Sequence, residues 1–439
     1  MRLSGSVFLL GLIFFGRNAV AQEQITLEQV VALALEKNYD VLLIKNSAQA
    51  SSTDNSYANA AFLPSLNATG SKLWNKNNQK QILANDSLVE RNGVRTENLQ
   101  GSVQLIWTLF DGTKMFALRE RIAEQEVRGL LNVKDQMVNT ISAVIVNYYN
   151  VVRQKQQWMA LQEQISVNEE RVKLATRKLE VGVGGKPELL QAKVDLNAQR
   201  TSMLQQETII AQLKDLLNGL VGQQLPTNFD VADSIAINLN LQQSAIQSAV
   251  SVSNYSLLSA KEGVSIARLS LRERTAEKFP VINFVSAYNF SRRENSLAIN
   301  QFTPLFDQNR GFNYGFSATL PIFNGFNNRR LVQQARLNVA RTELLYEQLK
   351  LNVDIGIRNA FVNYDNAKKV LLIEEENILL AKENVVIALE SFKRGIATFI
   401  ELRTAQQSLA DGYNRLITAR YNAKIAETEL LRLNGGLLK

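Results

Sequence analysis

The sequence has 439 residues, contains no cysteine and no histidine, and carries a formal net charge of +8. These absences exclude disulfide frameworks, thiolate nucleophiles and the commonest general base and metal ligand. Lysine and arginine are mixed with acidic residues along the chain, a pattern typical of solvated helix faces rather than of a nucleic-acid surface. An enzyme and a nucleic-acid partner are therefore disfavoured, and no catalytic, metal or cofactor site is predicted.

Residues 1–21 have the features of a secretory signal peptide. Arg2 precedes the apolar stretch from Val7 to Phe15, and Ala19-Val20-Ala21 forms a small-x-small cleavage site. The apolar stretch is much shorter than the about 20 residues that a spanning helix needs, and no later segment reaches that length either. We therefore predict export from a bacterial cytoplasm, with an uncleaved anchor as the alternative.

The remainder of the chain repeats one layout twice, at 22–220 and 238–436, with a linker at 221–237. Each repeat begins with a helical stretch, passes through two strands, and continues as a very long helix, a short break and a second helix. We predict strands at about 65–75, 99–109, 281–291 and 312–320, helices at about 113–181, 187–218, 327–394 and 399–434, and breaks at about 182–187 and 395–399.

The long helices are predicted from the spacing of their apolar and small residues. In the second repeat a stripe runs from Ala335 to Leu371 in steps of three and four, the period of one helix face. The stretch from Asn327 to Gly395 would be roughly 100 Å long at the rise of an α-helix. Helices of this length belong to coiled coils or helical arrays, so an ordinary two- or three-helix coiled coil is an alternative interpretation.

The strands alternate apolar and polar residues, as in Leu99 to Leu109 and Phe312 to Leu320. Each is close to the ~9–11 residues with which a tilted strand spans a bilayer, and the polar segments 75–98 and 292–311 are predicted to be loops. A half-buried sheet in a soluble domain is the alternative. Four strands are too few to close a barrel, and open edges are not tolerated in lipid, so membrane-spanning strands require several copies of the chain.

These segments resemble the TolC family of outer membrane efflux proteins over essentially the whole mature chain. The resemblance depends on the duplicated order and on these stretches: ITLEQVVALALEKNYDVLLIK, FLP, FP, LFDG, PIFNG, VGVGGKPELLQAKVDL and RGIATFIELRTAQQSL. It implies a mixed α/β membrane protein that forms a homotrimer. Each chain would give four strands to one 12-stranded β-barrel, continuous with a long periplasmic α-helical barrel. The linker and the C-terminal region would form an equatorial belt.

The resemblance also implies a function and a location. The family forms passive ducts in the outer membrane for efflux or type I secretion. A duct of this kind works with a periplasmic adaptor and an inner-membrane transporter of the resistance-nodulation-division (RND) or ATP-binding cassette (ABC) class. The alternative is a non-conducting coiled-coil scaffold of the cell envelope. Outer-membrane lipid is an expected partner, whereas the cargo cannot be read from the sequence.

The transitions between strand and helix are the first set of candidate functional residues. A Phe-Asp/Asn-Gly turn lies between the second strand and the long helix of both repeats, and Asp or Asn there suits a helix N-cap. Prolines mark the helix-to-strand junctions and one strand end. The predicted hinge residues are Pro64, Phe110, Asp111, Gly112, Pro280, Pro321, Phe323, Asn324 and Gly325.

The breaks between the long and short helices are the second set. In the family these two tips close the periplasmic end and bind the adaptor, and the second tip often carries two acidic residues that bind cations. Here Glu401 matches the first acidic residue and Thr404 occupies the second position, so weaker cation selectivity is expected. A surface helix glutamate is the alternative for Glu401. The predicted tip residues are Gly182, Glu188, Gly395, Thr398, Glu401, Arg403 and Thr404.

Overall fold

The computed structural model describes residues 23–438 except 83, 85, 227, 228, 300 and 301, so the predicted signal peptide lies outside the described residues. The elements are β1 (Glu23–Gln24), α1 (Leu27–Lys37), α2 (Tyr39–Ser56), a 3₁₀ helix (Ala58–Phe62), β2 (Ser65–Ile82), β3 (Leu88–Phe110), α3 (Lys114–Glu180), α4 (Lys186–Leu220), β4 (Phe229–Asp230), α5 (Gln243–Ser253), α6 (Tyr255–Ala276), β5 (Val281–Asn295), β6 (Phe306–Thr319), α7 (Asn327–Lys393) and α8 (Phe399–Leu433). Across the described residues, none of the helices is long and apolar enough to span a membrane.

The described residues fall into two compact units. The hairpin unit contains the residues up to 39, 139–241 and 360–430, and the sheet unit contains 40–138, 242–359 and the residues from 431 onward. Helices α3 and α7, each 67 residues long, contribute residues to both units. Each unit also draws residues from both sequence repeats.

The hairpin unit contains the α3–α4 and α7–α8 helical hairpins. Helices α7 and α8 pack through a cluster of buried side chains, joined at its margin by Ile237 and Leu239 of the segment that follows β4. The cluster contains Leu371, Ile378, Leu416, Ala419 and Ala423. Leu371, the last residue of the stripe that predicts α7, is one of these buried side chains, so at this point the stripe faces α8.

The predicted linker lies against α3 in the hairpin unit. Lys155 forms ion pairs of 2.6 Å with both Asp230 and Asp233. Burial alone would lower the pKa of Lys155, but the hydrogen bonds to these two carboxylates raise it. The buried Tyr148 hydroxyl of α3 accepts a hydrogen bond from the Ala232 N–H of the linker at 3.2 Å. The linker is therefore fixed to the long helix by specific polar contacts.

The sheet unit contains one antiparallel sheet in the order β2-β3-β5-β6, so that β2 and β6 are its open edges. Strands β2 and β3 are 18 and 23 residues long, and the prediction of polar loops is wrong over most of 75–98 and in half of 292–311. The polar residues there stay in the strands because cross-strand hydrogen bonds satisfy their backbone groups whether or not the side chains meet lipid. The alternating pattern therefore marks only part of each strand.

The register of the sheet separates its side chains into two chemically different faces. Residues that are directly opposed across two strands share a face. Val103 of β3 is opposed by Ala68 of β2 on one side and by Tyr288 of β5 on the other, and Tyr288 is opposed by Phe312 of β6. The apolar face contains Leu66, Leu99, Val103, Leu105, Trp107, Phe284, Tyr288, Phe312, Tyr314 and Phe316. The polar face contains Asn67, Thr69, Gln100, Ser102, Gln104, Asn283, Asn289, Asn313 and Ser317. One face thus suits lipid and the other suits water.

Candidate functional site

The first hairpin tip is a short turn between α3 and α4. The N–H groups of Val183 and Gly184 both donate to the Lys178 carbonyl at 2.9 Å, closing the end of α3. Gly182 has a φ of +81°, a conformation that side chains disfavour. Val181 and Val183 are 72% and 75% exposed. The turn thus projects apolar side chains that contact little of their own chain.

The second tip has the same backbone turn and a stronger helix start. The Ile396 and Ala397 N–H groups donate to the Ser391 carbonyl at 2.9 and 3.2 Å, and Gly395 has a φ of +74°. The Thr398 N–H then donates to Glu401 Oε2 at 2.7 Å, and the Glu401 N–H donates to Thr398 Oγ1 at 3.2 Å. This reciprocal pair is a capping box that fixes the start of α8.

The other predicted tip residues have different contacts. Glu188, which corresponds to Glu401, is half-buried, and the α4 N-cap is Gly185, which has no side chain to complete a capping box. The Thr404 hydroxyl donates to the Ile400 carbonyl at 2.9 Å within α8. Arg403 reaches α4, where its Nε lies 3.2 Å from Asp195. Of the predicted residues, only Thr398 and Glu401 are brought into direct contact with each other.

A buried ionic cluster close to the tips joins the two hairpins and was not predicted. Arg171 of α3 is 3% exposed and forms a 2.6 Å ion pair with Asp195 of α4. Its second guanidinium nitrogen donates to Gln406 of α8 at 2.9 Å, and the group lies 5.1 Å from the Phe399 ring centroid. With Arg403 on Asp195, the cluster links both hairpins through polar contacts. We call these five residues the arginine cluster.

Charge balance in the arginine cluster controls the protonation of Asp195. Burial alone would raise the pKa of this carboxyl group, but hydrogen bonds from Gln191 and Arg171 and the charge of Arg403 hold it below the usual value of 3.8. Burial lowers the pKa of the Arg171 guanidinium, and the Asp195 charge opposes this shift. The pair is therefore ionised at neutral pH.

The predicted hinge residues form two closely similar turns in the sheet unit. The Asp111 carboxylate accepts the Met115 N–H at 3.0 Å, and the Asn324 side chain accepts the Asn328 N–H at 3.4 Å. Each side chain therefore caps the start of its long helix, although it lies three positions before the first residue of that helix. The two residues that intervene in each turn have positive φ: Gly112 (+73°), Thr113 (+73°), Gly325 (+65°) and Phe326 (+62°).

The surroundings of the two turns differ. A Cβ at Gly112 would meet the Ala276 carbonyl oxygen at 2.5 Å and the Phe279 Cβ at 2.7 Å, whereas a Cβ at Gly325 would have nothing within 4 Å in the same chain. Pro64 and Pro280 each precede a strand by one residue, and Pro321 follows the end of β6 at Thr319. Beside it, Ile322 and Phe323 are 92% and 73% exposed. The second turn is therefore an uncovered apolar surface of the chain.

The two repeats match one family model in two segments. The model for outer membrane efflux proteins matches residues 30–223 and 246–436, which together are most of the chain. The chain belongs to the outer membrane efflux protein family. The predicted membership, the location in the outer membrane and the role in efflux are thereby confirmed.

Curated relatives and solved structures extend the match along the outer membrane efflux protein. The chain is 22% identical to the outer membrane efflux protein BepC of Brucella suis, over 76% of this chain and 71% of that protein. It is also 22% identical to the toluene efflux pump outer membrane protein TtgC of Pseudomonas putida, over 93% of this chain and 83% of that one. The CmeC outer membrane channel of Campylobacter jejuni has the same fold, with a TM-score of 0.76 at 16% identity over 99% of this chain and 94% of that one.

The fold of this efflux protein agrees with the predicted class. It is a mixed α/β membrane protein of the trimeric type, in which each chain gives four strands to a 12-stranded β-barrel and also contributes long helical hairpins. The open edges β2 and β6 account for the need for neighbouring copies, because a barrel closes only when each edge pairs with another chain.

Proposed function

We propose that this outer membrane efflux protein is the passive exit duct of a tripartite export system. The observation that carries the proposal is the division of the sheet into an apolar face and a polar face. When the sheet closes with two further copies, the apolar face meets lipid and the polar face lines a water-filled passage. Side chains such as Asn67, Ser102 and Asn289 offer neutral hydrogen-bonding groups, which suit conduction rather than tight binding of cargo.

We propose that the two hairpin tips are the docking surface for a periplasmic adaptor, which in turn joins an inner-membrane transporter of the RND or ABC class. The tips carry exposed apolar side chains, Val181, Val183, Ile396 and Ile400, each more than 70% exposed. Small apolar groups on a fixed turn favour contact with another protein's helical hairpin. The capping box at Thr398 and the arginine cluster hold the second tip in one conformation, which lowers the entropy lost on docking.

Two measurements test the duct and its partners separately. The purified trimer is inserted into a planar lipid bilayer, where single-channel conductance is expected and its complete absence would contradict conduction. A photoreactive amino acid at Thr398 is then activated in intact cells, and captured proteins are identified by mass spectrometry. Capture of a periplasmic adaptor supports docking at the tip. Capture at an exposed α7 position such as Leu337, but not at Thr398, would contradict it.

A coiled-coil scaffold of the cell envelope predicts different outcomes. Such a scaffold would be recovered in the soluble fraction and would not conduct ions. The apolar face of the sheet disfavours it, because side chains such as Phe316 (75% exposed) and Tyr314 (74% exposed) would then lie in water.

A further inference from the structure

The apolar face of the sheet changes character along the strands. From Trp107 to Leu99 on β3 the outward residues are apolar or glycine, a distance of roughly 25 Å along the strand. A strand tilt of about 40° makes this about 20 Å across the membrane, most of the ~25 Å height of the apolar band of an outer-membrane barrel. Beyond Leu99 the same face becomes charged. Most of the charged part lies in the segments predicted to be loops, but on β2 it begins at Lys72, within a predicted strand.

Five cationic residues share the outward face just beyond the apolar band. Leu99 of β3 is opposed by Lys72 of β2 and by Arg292 of β5. Further along, Lys76 of β2 is opposed by Arg95 of β3, and Arg310 of β6 is opposed by Phe290 of β5. The same face carries two carboxylates, Glu97 and Glu294, and the aromatic side chains of Trp74, Phe290 and Phe306. We call this set the distal basic belt, and its net charge is positive.

Both carboxylates of the belt already have cationic partners. Glu97 forms a 2.6 Å ion pair with Lys72 and accepts a hydrogen bond from the Trp74 indole at 2.9 Å. Glu294 is paired with Arg292 on the same strand. The charge of each carboxylate is therefore already balanced by one cation, Lys72 or Arg292.

Lys76 and Arg95 are the unneutralised part of the belt. They are directly opposed across β2 and β3, an arrangement in which like charges destabilise a sheet. In the part of the chain that the structure describes, neither side chain forms an ion pair. The backbone of Arg95 is nevertheless fixed, since its N–H donates to Ser296 Oγ at 3.0 Å. An anion between the two cations would convert the repulsion into attraction.

The space for such an anion exists beside the pair. Lys76 and Arg95 line a surface recess of about 420 Å³ together with Trp74, Ser296 and the two carboxylates Glu97 and Glu294. Because these carboxylates are paired with Lys72 and Arg292, an anion in the recess would face the cations Lys76 and Arg95. The indole ring is 70% exposed, and the Lys72 ammonium lies 4.9 Å from its centroid. An exposed tryptophan beside cations is typical of the level of a membrane at which headgroups begin.

We propose that the distal basic belt binds the phosphate groups of anionic lipid headgroups in the membrane around the barrel, with Lys76 and Arg95 as the principal contacts. A lipid whose acyl chains lie on the apolar band would place its headgroup at this level, so a lipid phosphate fits the position better than free phosphate. The guanidinium of Arg95 gives planar paired donors and Lys76 a point charge, both suited to phosphate oxygens. The inference depends on the outer-membrane sheet and not on the proposed duct.

The experiment uses the intact trimer purified in a neutral detergent, with bound lipids counted by native mass spectrometry during titration with phosphatidylglycerol. Each cation near an anionic surface contributes about 1 kcal/mol, so Arg95→Ala is expected to weaken binding about fivefold and the Lys76→Ala/Arg95→Ala double variant about 25-fold. The matched control is Arg293→Ala, which removes the same charge from the neighbouring position of β5 but on the polar face, where Arg293 contacts Asn98. The control is expected to bind lipid like the unchanged protein.

Three results would overturn the proposal. The first is equal binding by the Arg95→Ala variant and the Arg293→Ala control. The second is equal binding of zwitterionic phosphatidylcholine and phosphatidylglycerol by the unchanged protein. The third is loss of bound phosphatidylglycerol on addition of millimolar inorganic phosphate at constant ionic strength, which would assign the recess to free phosphate. Bilayer conductance of the same variants is expected to be unchanged. A failure of the lipid-binding proposal would therefore leave the proposed duct intact, and the reverse also holds.

Discussion

The side chain of Asn38 donates a 2.9 Å hydrogen bond to the backbone carbonyl of Leu220, at the end of α4. Asn254, the corresponding residue of the second repeat, donates a 2.8 Å hydrogen bond to the carbonyl of Leu433, at the end of α8. Both asparagines lie at the break between two short helices and are 7% exposed. The duplication therefore preserves a long-range polar contact that closes each repeat, connecting its first helices with its last.

The asparagine contacts predict a loss of stability in each repeat. Asn38→Ala leaves a carbonyl unpaired and is expected to cost about 1 kcal/mol. Asn254→Ala is expected to cost about 2 kcal/mol, because Asn254 Oδ1 also accepts the Leu257 N–H at 2.9 Å and caps α6. The measurement is thermal dissociation of the detergent-solubilised trimer. Asn254→Ser, which keeps a cap but cannot reach the carbonyl, should fall between Asn254→Ala and the unchanged chain, and equal losses in Asn254→Ser and Asn254→Ala would contradict the capping role.

The two hinge glycines predict a difference between the repeats. Gly112→Ala combines a positive φ with a clash against the Ala276 carbonyl and is expected to prevent accumulation of folded trimer. Gly325→Ala meets no atom of its own chain, so within one protomer only the backbone conformation opposes it, at about 1 kcal/mol. Trimer yield in the membrane fraction distinguishes the two. Similar yields for both variants would show that the close approach at Gly112 does not constrain folding.

Internal duplication also predicts what covers the second hinge. The Gly112 turn packs on Phe279, just before Pro280, and the corresponding position before Pro64 is Leu63, which is 66% exposed. In a ring of alternating repeats, the turn at Gly325 therefore meets Leu63 of the next chain. Because the protein has no cysteine, Phe323→Cys and Leu63→Cys can be introduced together without other changes. A short thiol cross-linker is expected to join chains into dimers and trimers.

The control for this cross-link is each cysteine alone, which should give monomers on a denaturing gel. A second control is the pair Leu63→Cys and Leu337→Cys, in which the second cysteine lies on α7 and away from the turn. Cross-linking of the control pair as efficiently as the test pair would contradict the specific contact.

The sequence predicts the hinges and the apolar face because these depend on short-range rules. The spacing of apolar residues in helices, their alternation in strands and the Phe-Asp/Asn-Gly turns are local sequence features, and each occurs in both repeats. The distal parts of β2 and β3 were missed because hydrogen bonds between strands do not depend on hydropathy. Lys76, Arg95, Arg292 and Arg310 of the distal basic belt were consequently assigned to loops, and only Lys72 lay in a predicted strand.

The arginine cluster shows a different limit of sequence reasoning. Arg171 is separated from Asp195 by 24 positions and from Gln406 by 235. These residues meet only because the rotation of α3, α4 and α8 about their axes brings them together, and that rotation is set by packing. No motif marks Arg171, since arginine is common on exposed helix faces. Glu401 was predicted as a tip residue from the resemblance, whereas its capping hydrogen bonds with Thr398 were not predicted.

The arginine cluster predicts a position-dependent loss of order at the tips. Arg171→Ala leaves Asp195 with the more exposed Arg403 as its cationic partner, beside the hydrogen bond from Gln191. The loss of the buried ion pair is expected to destabilise the hairpin pair by about 3 kcal/mol. Arg200→Ala is the matched control, since the Arg200–Glu169 pair of 2.8 Å also joins α4 to α3 but is exposed, and exposed pairs contribute under about 1 kcal/mol. Hydrogen exchange of the segment 395–402 is the measurement. Equal exchange in both variants would contradict the role of Arg171.

Acid should weaken the same contacts. The pKa of Asp195 is lower in the folded protein than its usual value of 3.8, so its ionised form stabilises the fold above that pH. This contribution is lost as the pH falls below 3.8 and through the lowered pKa. The exchange rate of the tip relative to the intrinsic rate at each pH is therefore expected to rise at the acid end of a titration from pH 6 to 3. In the Asp195→Asn variant this acid-dependent rise should be much smaller, and an unchanged rise would assign the transition to another group.

The charge of Glu401 at the second hairpin tip predicts an effect on ion selectivity. Glu401 Oε2 holds the Thr398 N–H, and three copies in a trimer would put three such carboxylates around one axis, favouring cations. Glu401→Gln keeps the capping hydrogen bond but removes the charge, so stability should hold while cation selectivity falls. Thr404→Asp, which adds a second carboxylate one helical turn later, should raise it. Reversal potentials across a bilayer with a salt gradient measure both, and an unchanged potential in Glu401→Gln would make Glu401 a helix cap alone.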